Sequence, residues 1–406
     1  MKKLICIVLS ILMLATAVAF VGCDKAPETL KMGLGVYTAT PTTADATEDK
    51  DGQGKVAITA AVITVDAEGK VVACQLDTAD LTVKFTADGK AVANDGFKTK
   101  YEQGKDYNMV TYGGAAKEWF EQADAFEAFV VGKTLAEIKA LVAEGNKGTA
   151  DVIAAGCTIM IHEFVGAIEK AFANLADSAA TAESALKLGM NVEQSTADAT
   201  EEKDGSNQVE TTIFAAAVDA EGKVLVAASD CVQVKFTFTA AGASTLDTAK
   251  AISSKREAGA NYGMVAYGGA AKEWFEQADA FCALIAGKTS DEVKALVVDG
   301  DKGTDEVISA GCTITIVEFA NAVVKAIANA TEGKADTTYV NEELAKKADK
   351  TDTYTKTQVD NALNNKMNFR KIDESHYSPR IIMCSQSLPV LGKWLCCYGC
   401  CGSVCT

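Results

Sequence analysis

The 406-residue chain carries only two histidines, His162 and His376. His162 stands in one copy of an internal repeat and is replaced by Val317 in the other, so a histidine-based triad or metal site common to both copies is excluded. There is no HExxH, GxSxG or GxGxxG, and the carboxylates spread through the chain form no pair that stands out. Basic stripes interleaved with aromatics are missing as well, and the formal net charge is −16, which argues against nucleic acid as a partner. A disulfide framework is also missing from the body of the chain. Five cysteines (Cys74, Cys157, Cys231, Cys282, Cys312) are scattered there, and only Cys157 and Cys312 match between copies. They read as small buried hydrophobes.

What the chain does have is repetition. "YGGAAKEWFEQADAF" occupies 112–126 and returns at 267–281. Around it the sequence predicts an α+β fold made twice, as two similar domains over 30–175 and 186–330. Each is expected to be an antiparallel β meander plus helices and a final strand-helix unit. In the first copy "KVAITAAVITVDAEGKVVACQLD" (55–77) gives two strands about an Asp-Ala-Glu-Gly turn, and "LTVKFTADGK" (81–90) a third. Trp119, Phe120, Ala123, Phe126 and Val130 then mark one face of a helix, with Gly132 as its left-handed stop. Thr134 and Thr289 have capping-box spacing to Glu137 and Glu292. The triplet "GKT" at 132–134 and 287–289 therefore punctuates two helices. A P-loop would need glycine where Glu127 and Cys282 stand. The strand of the last unit is expected across "GCTIMI" (156–161) and "GCTITI" (311–316), with Ile159 and Ile161 on one face and Thr158 and Met160 on the other.

The ends are separate. "MKKLICIVLSILMLATAVAFVGCDK" has a basic start, an apolar run and a Gly-Cys boundary, which is a signal-peptide layout over 1–23. It resembles a bacterial lipoprotein leader, with Cys23 as the lipidation site, and the resemblance implies an extracytoplasmic protein lipid-anchored to the cell membrane. The other reading of this run is an uncleaved membrane helix. At 338–367 a recurrence pairs Tyr339 with Tyr354 and resembles tail-fibre and adhesin repeats, which implies oligomerisation through this segment. The last residues, 368–406, hold six cysteines and read as a disordered or frame-shifted terminus, with thiolate metal binding at "CCYGCC" as the alternative.

The repeated "AGCT" (155–158 and 310–313) carries a family resemblance. With the "D-x-x-G-K-V" hairpin and the Ala-rich helix that follows, it resembles the attachment region of extracellular FMN-binding domains, as found in tandem-domain electron-transfer lipoproteins. Ala155 and Ala310 stand where that family has Ser, and Cys157 and Cys312 where it has Ala. The resemblance implies covalent FMN, held by a phosphoester to Thr158 and Thr313, with Gly156 and Gly311 admitting the phosphate. It also implies a Mg²⁺-dependent flavin transferase and a membrane redox donor as partners, and an electron carrier rather than a stand-alone enzyme. Tyr112, Tyr267, Trp119 and Trp274 are candidates to stack on the isoalloxazine ring, although aromatics at helical spacing also suit a core. The alternative function is a cofactor-free surface lipoprotein binding a small ligand or a protein partner.

Overall fold

The strands are long because both of their faces find cover. In the computed structural model, which describes residues 28–328, β1 (Lys31–Thr38), β2 (Thr42–Ala44), β3 (Gly52–Val65), β4 (Val71–Phe85), β5 (Ala91–Val92) and β6 (Ala176–Asp177) form one antiparallel sheet. Its order is β5-β4-β3-β1-β6, with β2 beside β3. A second sheet, β7-β8-β9, comprises β7 (Ala185–Ala197), β8 (Gly205–Val218) and β9 (Val224–Phe238). The hairpins turn where the Asp-x-x-Gly signals stand: Gly69 (φ 76°) and Gly222 (φ 77°) take the left-handed conformation that glycine reaches without strain. The runs at 71–77 and 81–85 are one continuous strand, β4, where two were expected, and 224–238 is likewise the single strand β9.

Helices cover the outer face of each sheet. In chain order these are α1 (Lys100–Gln103), α2 (Trp119–Val130), α3 (Leu135–Lys139), α4 (Ala150–Ala155) and α5 (His162–Ala173). The second copy repeats them as α6 (Lys255–Ala258), α7 (Trp274–Leu284), α8 (Ser290–Lys294), α9 (Asp305–Ala310) and α10 (Val317–Ala328). Both expected capping boxes form, at Thr134 and at Thr289. Gly132 follows α2 at φ 78°. Gly35 of β1 is bare because α5 lies on it: a Cβ there would come 2.1 Å from the Ala167 carbonyl oxygen. Gly189 meets the Ala322 carbonyl of α10 in the same way, at 2.3 Å.

Alternation along the strands sorts the core into three layers. Val56, Ile58, Ala60 and Val62 point into a cluster shared with Leu186, Leu188, Val209, Ile213 and Phe236 of the second sheet. Their neighbours Ala61, Ile63 and Val65 point the other way, onto Trp119, Phe126, Phe164 and Ile168 of the first helix layer. Phe214, Ala216 and Val218 do the same against Trp274, Phe281, Phe319 and Val323. The arrangement is helix, sheet, sheet, helix. The two copies thus share a core and belong to one compact unit.

The contacts between copies are reciprocal. The Phe85 and Phe238 rings stack on each other 4.5 Å apart, nearly parallel. Ala46 N donates to the Gly242 carbonyl and Ala199 N to the Gly89 carbonyl. Asp45 accepts from Ser244 N, and Asp198 accepts from Ala91 N. Lys170 pairs with Glu257 and Lys325 with Glu102. Each contact is the image of another, which is the mark of an isologous interface with an approximate two-fold axis.

One expected element is absent. Cys157–Met160 is not a strand, and neither is its counterpart in the second copy. Gly156 (φ 111°) and Gly311 (φ 103°) end α4 and α9 as left-handed caps, their N–H groups turned back to the carbonyls of the helix. Thr158 N then bonds to a side chain instead of a neighbouring strand. The final unit of each copy is therefore helix–loop–helix. The leader with Cys23, the segment 338–367 and the Cys-rich 368–406 lie outside the described residues. Among the described residues no helix is long and apolar enough to cross a membrane.

Candidate functional site

The repeated segment does two jobs. Its apolar positions build the core. Trp119 and Trp274 are each 4 % exposed, and Trp119 packs edge-on against Tyr101 and Phe164, while Trp274 stacks on Phe319. Their rings are occupied by packing in the core. Its polar positions build a surface feature beside "AGCT".

Glu118 starts α2. It is buried, closes a capping box with Glu121, and accepts from Met109 N and Val110 N, which fastens the preceding loop to the helix. Glu273 does the same with Glu276, Met264 N and Val265 N. One turn further on, Gln122 is 1 % exposed and hydrogen-bonded through both its amide nitrogen and its amide oxygen. Its Nε2 donates to the Lys117 carbonyl at 3.1 Å. Its Oε1 accepts from Thr158 N at 2.8 Å and from the Thr158 hydroxyl at 2.9 Å. Gln277 repeats the set with Lys272 and Thr313, at 3.0, 2.9 and 2.9 Å.

These bonds fix the direction of the hydroxyl proton. A backbone N–H can only donate, so the glutamine atom facing Thr158 N is the carbonyl oxygen, and that oxygen can only accept. The Thr158 hydroxyl must therefore donate inward to Gln122, and its lone pairs turn outward. Thr158 and Thr313 are both exposed. Each copy thus presents an exposed threonine whose hydroxyl is held by a buried amide.

A cation stands over the glycine two positions before this threonine. Lys117 crosses the bare Cα of Gly156 so closely that a Cβ there would come 2.4 Å from Nζ. Lys272 and Gly311 give 2.3 Å. The glycine is required by its positive φ, and its bare Cα leaves room over which the ammonium lies. The cysteine between glycine and threonine takes no part. Cys157 and Cys312 are buried and free, and burial pushes both thiols up to about 11 against the opposing pull of Lys117 and Lys272. Both remain neutral thiols at physiological pH.

The tyrosines are placed differently from the tryptophans. Tyr112 is 85 % and Tyr267 92 % exposed, in the loops that Glu118 and Glu273 hold. Gly114 (φ 65°) and Gly269 (φ 67°) shape those loops. A concavity of about 450 Å³ lies elsewhere, lined by residues 47–51 and 86–88, and contains none of these residues. Sequence reasoning singled out Gly156 with Thr158 and Gly311 with Thr313, each pair two positions apart at the end of a helix. It missed Lys117, Gln122, Lys272 and Gln277. The available signal was that these exposed or polar positions lie inside the identical segment, where apolar packing gives them no reason to persist.

No protein-family model, curated protein or solved structure matches the chain.

Proposed function

We propose that the chain is a membrane-anchored extracytoplasmic flavoprotein that carries FMN on Thr158 and Thr313 and relays electrons. The observation that carries this reading is the twice-built exposed threonine, with its proton directed inward and its lone pairs outward. Such an oxygen is set to accept a phosphoryl group. The residues fit the phosphate end of the cofactor: Thr158 supplies the bridging oxygen, Gly156 the close approach and Gln122 the orientation, as Thr313, Gly311 and Gln277 do in the second copy. Exposed Tyr112 and Tyr267 are the aromatic rings open to a flat ligand.

The chain itself does little chemistry. Thr158 Oγ bonds to phosphorus as a phosphoanhydride P–O bond of an activated flavin donor breaks, and the phosphate on the far side of that bond departs. The hydroxyl proton goes to a base of the flavin transferase, since the Gln122 amide cannot take one. When bound, the isoalloxazine supplies the redox chemistry.

The test is co-expression with a flavin transferase, followed by denaturing electrophoresis and in-gel flavin fluorescence. A fluorescent band is expected, halved in Thr158→Ala or Thr313→Ala and lost in the double variant. A colourless chain under those conditions refutes the reading. It would favour the alternative, a cofactor-free surface lipoprotein that binds a ligand or partner, for which the high exposure of Tyr112 and Tyr267 speaks.

A further inference from the structure

We propose that Lys117 and Lys272 are the anion-neutralising residues of the two sites, each holding the phosphoryl oxygens of the group that the adjacent threonine accepts. This rests on reading Thr158 and Thr313 as acceptors, but it concerns different side chains and is tested separately.

Three observations carry it. First, neither ammonium has a carboxylate partner among the described residues, in a chain with 55 acidic side chains. Some exposed lysines do find partners, as Lys139 does in Glu169 and Lys288 in Glu306, and others do not. What sets Lys117 and Lys272 apart is their place: each ammonium lies over the glycine two positions before the threonine. Second, one buried glutamine positions both parts: Gln122 holds the Lys117 carbonyl with Nε2 and the Thr158 hydroxyl with Oε1. The same amide thus fixes the backbone from which the lysine side chain springs and the acceptor oxygen. Third, the need is real. A chain with a net charge of −16 repels a phosphorylated donor, and a contact ammonium offsets that repulsion where the new bond forms.

Some exposed lysines have drifted between copies, while others, such as Lys147 with Lys302, are retained. Lys105 corresponds to Ala260 and Lys98 to Ser253, whereas Lys117 and Lys272 are retained. Their side chains lie at the surface, so packing does not account for this.

The experiment uses the full chain with one acceptor removed. In a Thr313→Ala background, Lys117→Met is expected to slow covalent flavin incorporation by a purified transferase roughly tenfold or more, with Lys117→Arg close to the parent. Incorporation into the parent should fall with added salt, and that dependence should flatten in Lys117→Met. A structural role would not produce that change. In the unloaded chain, inorganic phosphate should shift the amide resonances of Gly156 and Gly311, and the shifts should vanish in Lys117→Met and Lys272→Met respectively. Normal loading of Lys117→Met together with unchanged phosphate shifts overturns the proposal and leaves the acceptor reading standing. Phosphate shifts that depend on the lysines, in a chain that never loads, retain the anion site and remove the flavin. Neither loading nor phosphate shifts removes both.

Discussion

Asp77 gives the sharpest test of the packing described here. It lies on β4, 3 % exposed, and accepts from Thr78 N and Tyr101 N. Burial raises its pKa from the ordinary 3.8 to about 7; hydrogen bonds from Thr99, Thr78 and Tyr101 pull the other way, and Glu102 adds to the rise. The folded state therefore holds a proton that the unfolded chain releases near pH 4. The resulting stability is complete below about pH 4 and is lost as pH rises through 7. The gap between 3.8 and about 7 corresponds to ~4 kcal/mol across that window. Asp77→Asn keeps an acceptor for the two backbone N–H groups and never ionises. Urea unfolding of the full chain, followed by circular dichroism at intervals from pH 4 to pH 8, should show the variant gaining on the wild type by a few kcal/mol as pH rises. Titrations elsewhere cancel in the difference. Two curves that stay parallel over this range would mean that Asp77 is solvated and the reasoning fails.

Gly35→Ala places a methyl against the Ala167 carbonyl and should destabilise the chain by about 1–3 kcal/mol, read as a lowered urea midpoint, because backbone cannot yield as a side chain can. Phe85→Ala removes one ring of the stacked pair on the two-fold axis. A loss of about 3–5 kcal/mol is expected from equilibrium unfolding, and a loss below 1 kcal/mol would show that this contact does not hold the copies together.

The hairpins and the helix at 119–130 were legible because their signals are local: Asp-x-x-Gly at each turn, and apolar residues at helical spacing closed by Gly132. The expected strand at 157–161 was not, since five alternating residues are too few to outweigh a helix ending in Ala-Gly, and the cap decided the backbone. The union of the two copies was readable in part. "AITAAVITV" (57–65) shows no polar face, and a strand apolar on both sides must be covered on both. The cover could not be named from sequence, because it is the other copy. Thr158 was found through its resemblance, while Lys117 and Gln122 escaped because they meet it only through folding, from 36 to 41 positions earlier in the chain.

The back-to-back sheets also limit how the two threonines can cooperate. With packed sheets about 10 Å apart and a helix layer beyond each, the outer layers lie on the order of 30 Å from one another. Cofactors seated on Thr158 and Thr313 would look out from opposite sides of the slab with the whole apolar interior between them. Traffic straight through the middle is then a poor route. On the proposed flavoprotein reading, a chain of this shape would be a two-sided relay, with each side meeting its own redox partner.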